Sequence, residues 1–275
     1  MLGQRIVTAV VLLALLVPAL LAQSVWPFAA LTLTLLAAAG WEWGRLNGAP
    51  QAVSLVLALC LLVTCAGLGP AAVQRSIPTL VWVFWAFAWV LGGGWALRHG
   101  VAGWQGCHRQ LRWVLGVLLL WGAWAALVTA RAQGLAFVLS VLCLVWVADV
   151  AAYFGGRAFG HRKLAPSISP GKSWEGVWSG MAGVAFLAWA WVSLGADWGP
   201  SVFSLLLERY GFVGGGLLLM MLCGMSVVGD LFESLVKRAA HMKDSSQLLP
   251  GHGGVLDRID ALLPVFPLAL ALTIA

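Results

Sequence analysis

Charge is scarce in this chain. Only 9% of its 275 residues are Asp, Glu, Lys or Arg, where a soluble chain carries about 25%. With 61% hydrophobic residues, that scarcity excludes a soluble globular protein. Other absences exclude particular chemistries. There is no G-x-x-x-x-G-K-[ST] run, so no P-loop for nucleotide phosphates. There is no C-x-x-C pair, so no redox or zinc motif of that kind. The five cysteines (Cys60, Cys65, Cys107, Cys143, Cys223) are scattered and read as small buried hydrophobes. No basic tract accompanies the net charge of +6, so no nucleic-acid partner is expected.

What is abundant is apolar sequence in long runs. Crossing a bilayer takes roughly 20 residues of helix, and nine candidate spans can be read: 6–22, 25–41, 52–69, 77–97, 112–130, 134–154, 174–194, 211–231 and 260–275. The last is short and contains Pro264 and Pro267. The expected fold is therefore all-α, a polytopic integral membrane protein forming one membrane domain over 1–275. Helices in 1–130 would act mainly as scaffold and 134–275 as the catalytic half. The first run could instead be a signal peptide, but its LLAQS ending is a poor small-x-small site. Trp26, Trp41, Trp43, Trp82, Trp113 and Trp174 sit near span ends, which suggests an interfacial aromatic belt.

Orientation follows from the cations. Numbered through nine spans, the N-terminus and the loops after spans 2, 4, 6 and 8 carry thirteen of the sixteen Lys and Arg residues; Arg75, Arg131 and Arg209 fall on the other side. The positive-inside rule places the thirteen in the cytoplasm. Asp197 and Glu208 belong to the opposite face.

The charges that do occur are concentrated. Asp230, Glu233, Lys237, Arg238, Lys243, Asp244, Asp257, Arg258 and Asp260 all fall within 226–260, flanked by apolar sequence. Ionisable groups beside a bilayer are costly unless paired, solvated or used. On a helix, Ser226, Asp230, Glu233, Ser234 and Lys237 form one polar stripe. Pro250-Gly251-His252-Gly253-Gly254 must be a turn. Asp257 and Asp260, at i,i+3, would face the same way at the start of the next helix. Carboxylates, cations and a Gly-rich turn are the parts needed to hold Mg²⁺ and a polyphosphate.

A second concentration lies in 149–176. Asp149 ends an apolar run, with Tyr153 and Arg157 on its face at i+4 and i+8. Ser167, Ser169, Lys172, Ser173 and Glu175 surround a Pro-Gly turn, a pattern suited to phosphate oxygens. Ser173 is also a candidate N-cap. Elsewhere, Glu42 and Arg45, at i,i+3, suggest an interfacial ion pair, and His241 reads as a loop residue.

From Ser234 to Asp260, through Lys237-Arg238, Lys243-Asp244, Pro250, His252-Gly253-Gly254 and Asp257-Arg258, the chain resembles the phosphatidate cytidylyltransferase (CDP-diacylglycerol synthase) family. The segment 149–176 is similar to the same family at Asp149, Gly155, Gly160, Ser169, Pro170, Lys172 and Glu175; Gly171 is less typical of it. The resemblance implies the reaction CTP + phosphatidate → CDP-diacylglycerol + pyrophosphate at the cytoplasmic side of the bacterial inner membrane. It implies Mg²⁺, with room for a second metal ion, held by Asp230, Asp257 and Asp260. It further implies catalytic roles for those three carboxylates and for Lys237, Arg238 and Arg258. Substrate-binding roles would fall to Asp149, Ser169, Lys172, Ser234, Lys243, Asp244, His252, Gly253 and Gly254. The expected partners are CTP, phosphatidic acid and membrane lipids, and a homodimer is an expected assembly.

Other readings stay open at this point. CDP-archaeol synthases and polyprenol kinases resemble the family more distantly. The D-G-x-x-A-R pattern of CDP-alcohol phosphotransferases has no match, since the chain has no Asp-Gly. A transporter would spread its charges across the midplane and show paired broken helices. Here the charges collect at one face. An inactive scaffold would have no use for an unbroken polar pattern.

Overall fold

In the computed structural model, which describes residues 2–195 and 198–274, the long apolar runs are helices. Asp197 lies outside the described residues. The helices are α1 (Leu2–Leu21), α2 (Trp26–Leu46), α3 (Gln51–Ser76), α4 (Thr79–Phe87), α5 (Gly94–Gly106), α6 (Arg109–Gln133), α7 (Leu135–Phe159), α8 (Trp174–Leu194), α9 (Val202–Ala239), α10 (Leu256–Ile259) and α11 (Leu262–Ile274). A π-helical segment, Ala88–Gly93, joins α4 to α5. Among the described residues, seven helical segments are long and apolar enough to cross a membrane. The expected span at 25–41 corresponds to α2, which is outside those seven, and the expected last span is the 13-residue α11. At about 1.5 Å per residue, α11 reaches about 20 Å, short of a hydrocarbon core of about 30 Å.

One element interrupts the helical pattern. Strands β1 (Lys163–Ala165) and β2 (Ser169–Ser173) pair antiparallel, Lys163 with Ser173 and Ala165 with Ser169, with a bulge between. Ser173 ends the hairpin and caps α8, its hydroxyl accepting from the Gly176 N–H at 3.2 Å, as its position suggested. Asp260 follows the single turn of α10 as its C-cap rather than lying within a longer helix. The two carboxylates at 257 and 260 therefore do not open a continuing helix.

The residues pack as two compact units. The first comprises 1–77, 101–132 and 236–260, and the second 78–100, 133–235 and 261–275. The segment 236–260 thus packs with the N-terminal helices, although it lies in the C-terminal half of the chain.

In the first unit α2 packs on α3 through small residues. A Cβ at Gly40 would lie 2.5 Å from Leu61 Cδ1, and one at Gly44 would lie 2.8 Å from the Ser54 hydroxyl. Close backbone approach of this kind holds helices together where burial from lipid gives little. Several tryptophans are core rather than belt. Trp43 is 3% exposed, and its indole N–H donates to the Arg112 carbonyl at 2.7 Å; Trp124 is 1% exposed and donates to Ala29 at 3.0 Å. Trp82, in the second unit, is likewise buried, while Trp26 and Trp174 are exposed. Buried in this way, an indole satisfies its N–H on a neighbouring carbonyl.

In the second unit α7 and α8 lie close together along their length. Gly176 and Gly180 permit this, because a Cβ at either would sit 2.9 Å from the carbonyl oxygen of Ala152 or Ala148. Helix α9 bends at Gly211, whose φ of 71° suits glycine. The π-helical segment abuts α9: Trp89 meets Phe232 edge-to-face at 5.6 Å, and a Cβ at Gly93 would lie 2.9 Å from Val228.

Gly180→Leu should push α8 away from α7. Overpacking costs about 1–3 kcal/mol or more, so a lower melting temperature in detergent and loss of activity are expected. A variant as stable and active as the parent would remove the close helix contact from this account.

Candidate functional site

The second unit contains a cavity of about 530 Å³ whose polar lining includes Asp149, Arg157, Ser169, Lys172, Ser173 and Asp230. Three elements bring these together. α7 supplies Asp149 and Arg157, β2 supplies Ser169, Lys172 and Ser173, and α9 supplies Asp230. Lys172 Nζ lies 2.5 Å from Asp230 Oδ2, and Ser234 donates to Asp230 Oδ1 at 3.3 Å. The side chains of Lys172 and Asp230 are 25% and 31% exposed, open enough to be reached by a ligand. Among the described residues, no hydrogen bond or ion pair reaches the Asp149 carboxylate. Arg157 donates to the Tyr153 hydroxyl at 3.4 Å. The hairpin is anchored to α8 by Glu175, which accepts from the backbone N–H groups of His161 and Arg162 and from Arg162 Nε.

The first unit contains a different cluster, built on two carboxylates. Asp257 Oδ1 accepts from Lys237 Nζ at 2.6 Å; Oδ2 accepts from the N–H groups of Ser245 at 2.9 Å and Gly254 at 2.8 Å, and the Ser245 hydroxyl lies 2.8 Å away. Burial opposes its charge, yet the Lys237 ammonium and the two amides outweigh burial and hold its pKa down at about 2. The second carboxylate is Glu42 of α2, fully buried at 0% exposure. It accepts from the Ser246 hydroxyl at 2.5 Å, Leu256 N–H at 2.7 Å and Val255 N–H at 2.9 Å, with the Ser245 hydroxyl at 3.2 Å. The Ser245 hydroxyl has one proton and serves one carboxylate at a time, with Asp257 the nearer.

The Pro-Gly-His-Gly-Gly turn folds over this pair. Leu249 and Gly253 form a bridge, and Gly253 has φ 83°. A Cβ at Gly253 would lie 2.9 Å from Asp257 Oδ2, and one at Gly254 would collide with Ser245 and Glu42. Arg258 donates through Nη2 and Nε to the His252 carbonyl at 2.7 and 3.0 Å, so it braces the turn. The Nδ1 atom of His252 is buried without a hydrogen-bond partner among the described residues. Arg238 and Asp260 also belong to this segment, Asp260 as the C-cap of α10.

The expected residues therefore fall into two groups: Asp149, Ser169, Lys172, Asp230 and Ser234 in the second unit; Lys237, Arg238, Lys243, Asp244, His252, Gly253, Gly254, Asp257, Arg258 and Asp260 in the first. Glu42 corrects the expectation of an interfacial Glu42–Arg45 pair. Arg45 instead lies over the Trp41 ring, 4.6 Å from its centroid. A lone Glu within an apolar helix was the available signal, but its donors lie over 200 residues away in sequence.

Among the described residues no three His, Cys, Asp or Glu side chains gather as a metal-binding group. Mg²⁺ takes only one or two carboxylates beside phosphate oxygens and water, and Asp149 and Asp230 lining one cavity fit that requirement. Asp257 already has both oxygens engaged by the chain, so a metal there would displace Lys237 or an amide.

The chain matches the cytidylyltransferase family over residues 3–274. It is 41% identical to a phosphatidate cytidylyltransferase of Pseudomonas aeruginosa over 280 residues, 99% of this chain and 97% of that one. It is 49% identical to the Haemophilus influenzae phosphatidate cytidylyltransferase over 135 residues, 49% of this chain and 44% of that one. With the chloroplastic phosphatidate cytidylyltransferase 5 of Arabidopsis thaliana it shares 37% over 143 residues, 50% of this chain and 33% of that one.

Because the Asp257 pKa is depressed, its stabilisation is present above the unfolded pKa near 4 and is lost as pH falls through about 2. Asp257→Asn, measured without divalent metal, should lower the melting temperature at pH 7, with the gap to the parent closing as pH falls below about 4. Glu42→Ala, which strands the Ser246 hydroxyl and the Val255 and Leu256 amides, should be more damaging than Glu42→Gln. Equal melting at pH 7 for Asp257→Asn and the parent would remove the charge-based role.

Proposed function

The chain belongs to the cytidylyltransferase family, and we propose that it joins CTP to phosphatidate, forming CDP-diacylglycerol and pyrophosphate in phospholipid biosynthesis. The observation that carries this reading is the cavity in which Lys172 is paired to Asp230 beside Asp149, whose carboxylate has no hydrogen bond or ion pair among the described residues. Such a set can take up an anion and a divalent cation together.

The chemistry asks little of a nucleophilic side chain. A phosphate monoester has a second pKa of about 6 and is largely dianionic at neutral pH, so phosphatidate can attack the α-phosphorus of CTP itself. The remaining problem is electrostatic: two polyanions must meet and pyrophosphate must leave. In the second unit, Asp230 and Asp149 would hold Mg²⁺, which when bound would neutralise phosphate charge and stabilise the leaving pyrophosphate. Lys172 and Arg157 would bind phosphate oxygens, with Ser169 donating a hydrogen bond. Ser234 orients Asp230 through its contact at 3.3 Å.

In the first unit, Lys243 and Arg238 would take nucleotide phosphates, and Lys237 would do so on leaving Asp257. Asp257 holds the amides of Ser245 and Gly254 in place. A metal ligand role for Asp257, with Asp260 in support, would require Lys237 to release Oδ1. The Asp257 substitution therefore reads both roles, one through stability and one through metal dependence.

Counting α2 and α11 as spans, we place the N-terminus and both polar segments in the cytoplasm, on the split of thirteen cations to three that nine crossings give. The membrane would be the bacterial inner membrane, as suits a multi-pass helical chain with bacterial relatives.

Purified protein should make CDP-diacylglycerol from CTP and phosphatidate only with a divalent metal. Asp230→Asn and Asp149→Asn should each lower turnover at least about a hundredfold without loss of folding, whereas Glu208→Gln should leave it unchanged. Direct attack should invert configuration at a thio-substituted α-phosphorus; retention would require a covalent enzyme intermediate and overturn the mechanism. Failure with phosphatidate, but product from a polyprenyl or ether-lipid phosphate, would move the chain to a different lipid substrate. A single cysteine at the exposed Gln247 of a cysteine-free variant should react with an impermeant maleimide only in inside-out vesicles. Labelling of intact cells would reverse the topology.

A further inference from the structure

The first unit holds a second cavity, also of about 530 Å³, formed by Trp41 and Arg45 of α2 and by the segment Met242–Leu248. We infer that it is the subsite for the cytosine ring of CTP. The inference rests on the proposed reaction and gives Trp41, Arg45, Asp244 and Gln247 a part that the reaction chemistry leaves unassigned.

Four features point to a planar, neutral ring with a mixed donor and acceptor edge. The first is a flat platform. The Arg45 guanidinium lies 4.6 Å from the Trp41 centroid, and bases stack on both kinds of plane. The second is an unmet donor: the Trp41 indole Nε1 is buried without a hydrogen-bond partner among the described residues. A buried donor left unpaired is costly, and a ring carbonyl would satisfy it.

The third is the charge of the lining. Asp244 and Gln247 are both exposed there. A carboxylate in the wall opposes a phosphate occupant, whereas it suits an amino group. Cytosine offers an amino donor at N4 and an acceptor at O2, and an ionised Asp244 can only accept. Uracil places an oxygen where cytosine has the amino group, so Asp244 would repel it. Lys243, adjacent in the same cavity, is free to meet the phosphates that follow the ribose. The fourth is rigidity. Ser246 also lines the cavity, and its hydroxyl is bound by buried Glu42 at 2.5 Å, so this wall is held by the α2 carboxylate. A cavity of this size is within the range of about 300–1,000 Å³ usual for small-molecule sites.

The test uses the full-length protein in detergent with CTP, UTP and phosphatidate, and separately measures equilibrium binding of labelled CTP competed by UTP. The parent should prefer CTP. Asp244→Asn, whose amide can turn to donate, should reduce the CTP-over-UTP ratio in kcat/KM and in competition binding by about tenfold or more. Trp41→Phe keeps the ring but lacks the N–H; it should raise KM for CTP several-fold and leave KM for phosphatidate unchanged. If Trp41→Phe fails to fold, the exposed Asp244 variant still decides.

An unchanged nucleotide ratio in Asp244→Asn overturns the inference. A rise in KM for phosphatidate alone would assign the cavity to the lipid headgroup and overturn it equally. The binding arm separates the two levels of the argument. A protein that binds CTP over UTP through Asp244 but makes no CDP-lipid from phosphatidate would refute the proposed acceptor and leave the base subsite standing.

Discussion

Two carboxylates placed where water cannot solvate them govern the polar segment of the first unit. A buried charge is tolerated only when donors surround it, and apart from Lys237 of α9 the donors to Glu42 and Asp257 come from the loop 245–254 and the start of α10. Ser245, Ser246, Gly254, Val255 and Leu256 all bond to one or other carboxylate. The loop has little regular structure of its own. Its shape is the shape that satisfies these two groups. The glycines follow from the same constraint, since side chains at 253 and 254 would occupy the space the carboxylate oxygens need.

In the second unit the constraint is steric. α7 and α8 approach closely because glycines face carbonyl oxygens along their contact, and the hairpin between them is short enough to be capped at once by Ser173. Asp149 and Lys172 reach one cavity as a consequence. Asp230 joins them from α9, which the π-helical segment contacts through Trp89 and Gly93. A Lys–Asp pair left partly open to solvent contributes little to stability. In the proposed reaction its value would lie in holding a cation-binding carboxylate and an anion-binding ammonium in one place, each able to exchange the other for a ligand.

The two carboxylate environments are chemically different. Asp257 is saturated with donors, and its depressed pKa reflects that saturation. Asp149 has no protein donor among the described residues. The first arrangement organises backbone; the second is the one the proposed reaction would use for a bound cation. Residue type alone does not separate these roles, since both are aspartates beside apolar sequence.

Much of the protein was legible in its sequence for reasons that are local. Apolar runs longer than a bilayer is thick must be helices, because lipid offers no partner for backbone groups. The stripe from Ser226 to Lys237 lies on the helix its spacing required, Ser173 is the cap its position suggested, and the Pro-Gly-His-Gly-Gly run is a turn. The family was also legible, because a long run of fixed polar residues leaves few alternatives. Tertiary structure alone decided the rest. The hairpin at 163–173 is too short to show an alternating pattern. Trp43 and Trp82 are core rather than belt because neighbouring helices, not proximity to a span end, determine what covers them. Glu42 seemed paired to Arg45 because helical spacing sees only one helix. Its true partners are donors more than 200 residues away, and only packing could bring the demand of a buried charge to them.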